Sequence, residues 1–299
     1  MALFPPDDPY LIYTVIFGFP LVVRWYGVLI MSGAVVAAYL AGRRALARGI
    51  DPEHAWNQLM LGLVISIICA RIYYVAFQWE LFAPNPITVL YINNGGIAIH
   101  GAIIGALLSG VIYTRWNRLS FFEWADICMP TFIIAQAIGR WGNFFNQEAY
   151  GQPTTLGFGV RIAPEYRVDP YRDLTRYPPD TLFHATFLYE SIWAFAGAGL
   201  LFWLDKRFGK LAPAPRWRLR DGDLLFLYAL IYSLGRVWIE GLRVDSLCTG
   251  SVGGNCAGTF RTAQLVSVAL IVIGIAGLIW NHTRKDIGVK ATEELATEG

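Results

Sequence analysis

The chain of 299 residues is 55% hydrophobic and 15% charged, with 11 tryptophans, a formal net charge of +2 and a mean hydropathy of +0.43. That balance lies outside the usage of soluble domains and points to a lipid bilayer. So small a net charge, with no long basic run, argues against nucleic acid as a partner.

The segment from Met1 to Pro20 carries Asp7 and Asp8 and no Lys or Arg, so it lacks the basic start of a secretory signal peptide and is expected to be retained. The apolar run Tyr10 to Val23 is too short to cross roughly 30 Å of hydrocarbon as a helix and reads as an interfacial segment. Seven spans of transmembrane length follow: Trp25 to Ala41, Trp56 to Phe77, Ile97 to Tyr113, Phe122 to Asn143, Phe183 to Leu204, Asp223 to Gly241 and Thr262 to Trp280. The expected fold is an all-α integral membrane protein, a bundle of about seven helices forming a single transmembrane domain.

Basic residues set the expected orientation. One side carries fourteen: Arg43, Arg44, Arg48, Arg115, Arg118, Lys206, Arg207, Lys210, Arg216, Arg218, Arg220, Arg284, Lys285 and Lys290. The other side has six, Arg161, Arg167, Arg172, Arg176, Arg243 and Arg261, on longer connections. The positive-inside rule then places the amino terminus outside and the carboxyl terminus in the cytoplasm. On the outer side, Trp79 to Asn94 forms a short excursion. The connection of about residues 144–182, rich in Gly, Pro, Tyr and Arg, is expected to fold into a small external head between spans four and five.

Cys69 and Cys128 lie in apolar spans and read as small hydrophobes. Cys248 and Cys256 share an outer loop with Gly250, Gly253 and Gly254, where an oxidising compartment allows a disulfide. No His, Cys and carboxylate spacing suits a metal, and no cofactor is expected.

The remaining basic residues, Arg24, Arg71, Arg140 and Arg236, fall inside or at the edges of spans, where a charge costs about 2.5–3.5 kcal/mol. Arg24 can snorkel from a span end. Arg71, beside Tyr73 and Tyr74, reads as a structural ion-pair partner. A plain anchor needs neither Arg140 nor Arg236. The fourth span ends Gly139-Arg140-Trp141-Gly142-Asn143-Phe144-Phe145-Asn146-Gln147-Glu148, with Arg140 and Asn143 one helical turn apart. In the sixth span Arg236, Glu240 and Arg243 stand at i, i+4 and i+7, a spacing that puts two guanidiniums on one face around one carboxylate and leaves positive charge for an anion. His100 opens the third span beside Gly101 and Gly105, a small-residue face for close helix approach. A lone histidine on such a face is more often a satisfied interior group, but Arg140, Glu148 and Arg236 in the same membrane favour a functional one.

These stretches resemble the prolipoprotein diacylglyceryl transferases of bacteria over nearly the whole chain. Gly139 to Gly151 is similar to the family's G-R-x-G-N-F-x-N-x-E signature, His100 to Gly105 to its H-G-G-x-x-G, Trp25-Tyr26-Gly27 to its W-Y-G, and Arg236 to Glu240 to its R-x-x-x-E. The family's H-P-S-Q-x-Y-E appears as His184-Ala185-Thr186-Phe187-Leu188-Tyr189-Glu190, keeping His184, Tyr189 and Glu190. The resemblance implies transfer of the diacylglyceryl group of phosphatidylglycerol to the lipobox cysteine thiol of a preprolipoprotein signal peptide, with release of glycerol 1-phosphate. It also implies a multi-pass protein of the bacterial cytoplasmic (inner) membrane with its site toward the outer leaflet. On that reading Arg140 and Arg236 hold the phosphate, with Arg243 adding positive charge, and Asn143, Asn146 and Tyr26 bind the head group. Glu148 and Glu240 orient the guanidiniums, Gly151 serves a backbone turn and His100 is the candidate general base. A lipid or anion transporter, or a signal-peptide chaperone without chemistry, are the competing readings. No inverted repeat supports the first, and the second has no use for His100, Arg236 and Glu240 together.

Overall fold

A computed structural model describes residues 2–6, 8–16, 19–92, 95–213, 217–249 and 260–284. Arg216, Cys256, Lys285, Lys290 and the glycines between the two outer cysteines lie outside them, and so does the expected Cys248–Cys256 disulfide. Eight helices dominate: α1 (Trp25–Ala47), α2 (Glu53–Phe77), α3 (Trp79–Phe82), α4 (Ile99–Trp116), α5 (Phe121–Phe145), α6 (Thr186–Phe208), α7 (Asp223–Leu242) and α8 (Thr262–Thr283). Six of them, α1, α2, α5, α6, α7 and α8, are long and apolar enough to cross a membrane. Five of them contain one of the expected spans; α6 overlaps its span but starts at Thr186, because Leu182–Phe183 pairs as a strand instead. The remaining expected span, Ile97 to Tyr113, overlaps α4, which has His100 in its first turn, carries Arg115 in its last and is the shortest of the seven long helices. The protein is thus a mostly helical, multi-pass membrane protein.

Small residues set how closely these helices approach. In α4 the Cα atoms of Gly101 and Gly105 lie against the α2 backbone at Cys69 and Ser66, so close that any side chain there would collide. Gly33 of α1 faces the Ala135 backbone of α5 in the same way, and a Cβ there would stand 2.9 Å from its carbonyl oxygen. Without a hydrophobic force between helices in lipid, such close van der Waals contact is what holds them together. A cluster of Ile133, Ala137, Ala194, Ala198, Leu201 and Leu224 joins α5, α6 and α7.

Charged groups at the far end of the bundle complete the frame. Pro130 inside α5 has no N–H for the Asp126 carbonyl. Arg44 of α1 donates there instead, through Nη2 to Asp126 O at 2.8 Å and through Nε to Ile127 O at 2.9 Å. The Asp126 carboxylate in turn accepts from Gly222 N and Leu225 N, at 2.8 and 2.9 Å, and so closes the first turn of α7. These bonds fix α1 and α7 to α5, the helix that carries Arg140.

Arg71 is a correction to the ion-pair expectation. Its guanidinium donates to the carbonyls of Val89, Gly95, Gly96 and Thr88 at 2.7–2.8 Å and to Tyr91 O at 3.4 Å, and it lies over the Phe82 ring. It organises the excursion between α2 and α4 through backbone dipoles, and among the described residues no carboxylate pairs with it.

Before α1, β2 (Tyr10–Ile16) and β3 (Phe19–Arg24) pair antiparallel as a hairpin. The interfacial expectation for this run left its conformation open. β-branched Ile12, Thr14, Val15, Val22 and Val23 suit a strand, and exposed Leu11, Ile12, Tyr13, Val15, Leu21 and Val22 suit an apolar surrounding.

The loop between α5 and α6 folds as a packed unit. Its sheet runs β1 (Ala2–Leu3), β4 (Gly159–Arg161) and β5 (Leu182–Phe183), with β1 parallel and β5 antiparallel to β4. The head therefore also draws in the start of the chain. Tyr150, Val160, Ile162, Phe183 and Phe187 form its core together with Val244 from beyond α7. The fully buried Arg167 donates to the carbonyls of Ile162, Tyr177, Pro178 and Pro179.

Candidate active site

The carboxyl-terminal ends of α5 and α7 and the amino-terminal end of α6 meet beneath this head. Arg140 lies in the penultimate turn of α5, Glu190 in the second turn of α6, and Arg236 and Glu240 in the last turns of α7. Glu190 stands between the two arginines, with Oε2 2.6 Å from Arg140 Nε and Oε1 2.5 Å from Arg236 Nη1. On the other side, Arg236 Nη2 is 2.6 Å from Glu240 Oε2. Side-chain exposure is 25% for Arg140, 15% for Arg236, 10% for Glu190 and 2% for Glu240. Four charges shielded to this degree hold one another in place.

Glu190 is the residue that the sequence reading left without a role. Its signal was present, an acidic side chain a turn and a half into an apolar helix, but its partners lie on two other helices. Glu148, expected to orient a guanidinium, instead accepts from Asn143 Nδ2 at 3.0 Å and Asn146 Nδ2 at 3.2 Å, both on one oxygen. The chain turns sharply to bring it there: Gln147 and Ala149 on either side have φ of 52° and 56°. Left-handed conformations are strained for non-glycine residues. Bonds from Ala163 N to Gln147 Oε1 at 2.8 Å, and from the Thr186 hydroxyl to the Ala149 carbonyl, secure the turn.

Arg243 also departs from expectation. α7 ends at Leu242, so Arg243 leaves the helix in extended conformation and never completes the i, i+4, i+7 face. It forms a two-pronged pair with Asp245, both contacts at 2.9 Å. Burial draws its pKa down, but Asp245 and the nearby charges of Glu190 and Glu240 outweigh this and the group stays charged. The α7 terminus is tied down by Arg261, which donates to the carbonyls of Glu240 and Arg243 and to Ser246 Oγ.

Tyr26 reaches the site from α1. Its ring packs over Gly142, where a Cβ would stand 2.6 Å from it, and its phenol is within electrostatic reach of Glu148 and Arg140. Gly151 has a packing role and no left-handed turn: a Cβ there would meet His184 Cβ at 2.7 Å and Leu242 O at 3.1 Å, and its N–H donates to His184 O at 2.9 Å. His100 stands elsewhere, exposed on α4, with its ring stacked on Tyr73 of α2 at 5.7 Å. The structure brings Arg140, Arg236, Glu240 and the unforeseen Glu190 into one cluster, and Asn143, Asn146, Glu148 and Tyr26 to its rim.

A small, partly open cleft lies at the cluster, lined by Arg140, Glu190, Arg236 and Gln136 together with apolar Ile133, Ala194 and Ile239. Among the described residues nothing bonds to the terminal nitrogens of Arg140 (Nη1 and Nη2). A planar pair of donors in a cleft with apolar walls suits an anion attached to a hydrocarbon body. Within the described residues no cluster of His, Cys, Asp or Glu suits a metal ion.

Residues 14–280 match the family model described as prolipoprotein diacylglyceryl transferase. A protein of Chloroflexus aggregans described as phosphatidylglycerol–prolipoprotein diacylglyceryl transferase is 65% identical over 289 residues, 96% of this chain and 94% of its own. Proteins with the same description from Nostoc sp. (strain PCC 7120) and Bacillus cytotoxicus are 44% identical over 271 residues and 42% identical over 262. The alignments cover 89% and 87% of this chain, and 88% of each of those two proteins.

Proposed function

The chain belongs to the prolipoprotein diacylglyceryl transferase family, and on that premise we propose which of its residues carry out the transfer. The enzyme moves the diacylglyceryl group of phosphatidylglycerol onto a prolipoprotein, the first step of lipoprotein maturation. The acceptor is the lipobox cysteine of a signal peptide in the bilayer. Its sulfur attacks the carbon of the diacylglyceryl unit that bears the phosphate ester oxygen, a carbon–sulfur bond forms as that carbon–oxygen bond breaks, and glycerol 1-phosphate leaves with the electron pair. The thiol proton goes to a base.

Arg140 and Arg236 bind the phosphate and stabilise the charge it gains as the bond breaks. Glu190 and Glu240 orient the guanidiniums. Asn143, Asn146 and Tyr26 contact the glycerol head group, and Glu148 holds the two asparagines toward it. Arg243 contributes at most at short range, because its charge is paired with Asp245. The observation that carries this reading is Glu190 clasped between two arginines in a cleft with apolar walls, with the terminal nitrogens of Arg140 still available. The fourteen-to-six division of basic residues supports a site toward the outer leaflet of the bacterial inner membrane. The head of residues 144–182, completed by β1, admits the signal peptide.

His100 is the base proposed for proton removal; because it stands on α4 and does not line the arginine cleft, this requires the bound peptide to carry its thiol to within reach of α4. A cysteine with pKa near 8.5 is roughly one-tenth thiolate at pH 7.5, so a base that only ionises it gains about tenfold. His100→Gln is therefore expected to lower turnover about tenfold at pH 7.5, and the deficit should shrink as pH rises past 8.5. Near-normal turnover at pH 7.5 would remove His100 from the mechanism.

The activity itself is tested with the full chain reconstituted in vesicles and given a synthetic lipobox peptide. Phosphatidylglycerol should add the mass of one diacylglyceryl group to the cysteine. Lipid movement across the vesicle with no peptide adduct would favour transport and overturn the assignment.

A further inference from the structure

The polar lining of the cleft continues beyond the arginines, to a residue that neither the motifs nor the phosphate requires. Gln136 lies four residues before Arg140 on α5 and lines the same cleft, about 6 Å farther along the helix axis. Tyr228 of α7 donates its hydroxyl to Gln136 Oε1 at 3.2 Å. Tyr228 is itself stacked on Tyr232, another lining residue, with ring centroids 6.1 Å apart. The amide oxygen is thus occupied, and the two N–H groups of Nε2 have no hydrogen-bond acceptor among the described residues.

We propose that Gln136 donates a hydrogen bond to an ester carbonyl of the diacylglyceryl group, and that Tyr228 is the positioning residue that turns the amide to do so. The proposal rests on the reading of the cleft as the lipid site. Gln136 is half-buried and its Nε2 is not sealed from the cleft, so a lipid that fills the cleft displaces the water there and has to supply an acceptor for the N–H₂. In a phospholipid held by its phosphate at Arg140, the next acceptors toward the membrane interior are the ester carbonyls. The glycerol backbone separates them from phosphorus by a span similar to the step from Arg140 to Gln136. A bond here would select ester-linked donors over ether-linked ones, which keep the head group and lack the carbonyl.

The test compares two donors, phosphatidylglycerol with ester-linked chains and its ether-linked counterpart of equal chain length, using the full protein in vesicles and a cysteine peptide. One hydrogen bond corresponds to a preference of roughly three- to tenfold in kcat/KM for the ester. Gln136→Leu should bring that ratio close to one, and Tyr228→Phe should lower it in part. A ratio near one for the unaltered protein would overturn the proposal. So would a Gln136→Leu variant that slows both donors equally and keeps their ratio, since that is the behaviour of a purely structural glutamine. Absence of transfer from either lipid by the unaltered protein would instead overturn the transferase reading on which the proposal stands.

Discussion

Replacing Arg140 with alanine is expected to lower transfer from phosphatidylglycerol by about a hundred- to a thousandfold, the range seen when a preorganised donor to a developing anion is lost. The bond that breaks leaves a second negative charge on the phosphate, and in a cleft with apolar walls little solvent is present to spread it. Arg140 is anchored through Nε to Glu190, so its two terminal nitrogens keep a fixed direction while the charge grows. Arg140→Lys separates charge from geometry: the ammonium keeps the attraction but has neither the fork nor a second nitrogen for Glu190. A loss of at least tenfold is expected for the lysine variant in the same peptide assay, most of it in kcat. Unchanged kcat and KM in Arg140→Lys would show that the guanidinium fork has no part in the reaction.

Glu190→Gln should damage stability and activity together. Removing one partner from a shielded charge cluster costs about 3 kcal/mol, the lower end of the usual range because the two arginines keep 25% and 15% of their side-chain surface exposed. Glutamine has nearly the shape of the carboxylate but leaves Arg140 and Arg236 facing each other with only Glu240 to balance them. Thermal unfolding should therefore move down by several degrees. An anionic lipid should restore more stability to the variant than to the unaltered protein, since its phosphate substitutes for the lost charge. Equal stabilisation of both forms by phosphatidylglycerol would argue that the phosphate sits away from the arginine pair.

Much of the fold was legible because transmembrane length and apolar composition are local properties. Each of the seven long helices contains or closely overlaps the span expected from its own residues. Arg140, Asn143, Arg236 and Glu240 were legible as charged or polar groups that lipid penalises. Their pairing was harder to read. Glu190 joins α6 to α5 and α7 across 50 and 46 residues of sequence, and helix periodicity carries no information at that range. Local spacing misled at Arg243, where the i+7 position falls just past the helix end, and at Glu148, where the left-handed Gln147 and Ala149 turn the carboxylate onto Asn143 and Asn146. Arg71 shows the same limit, because carbonyl oxygens that accept from an arginine leave no mark on the side-chain sequence.

The association of Arg140 and Arg236 with the donor phosphate is tested most directly by an experimental structure of the full chain in lipid with phosphatidylglycerol bound. The expected result is density for the phosphate within hydrogen-bond distance of both guanidiniums, with Glu190 still between them and the acyl chains running past Gln136. A head group bound away from α5 and α7, with the Arg140–Glu190–Arg236 cluster closed and untouched, would contradict it.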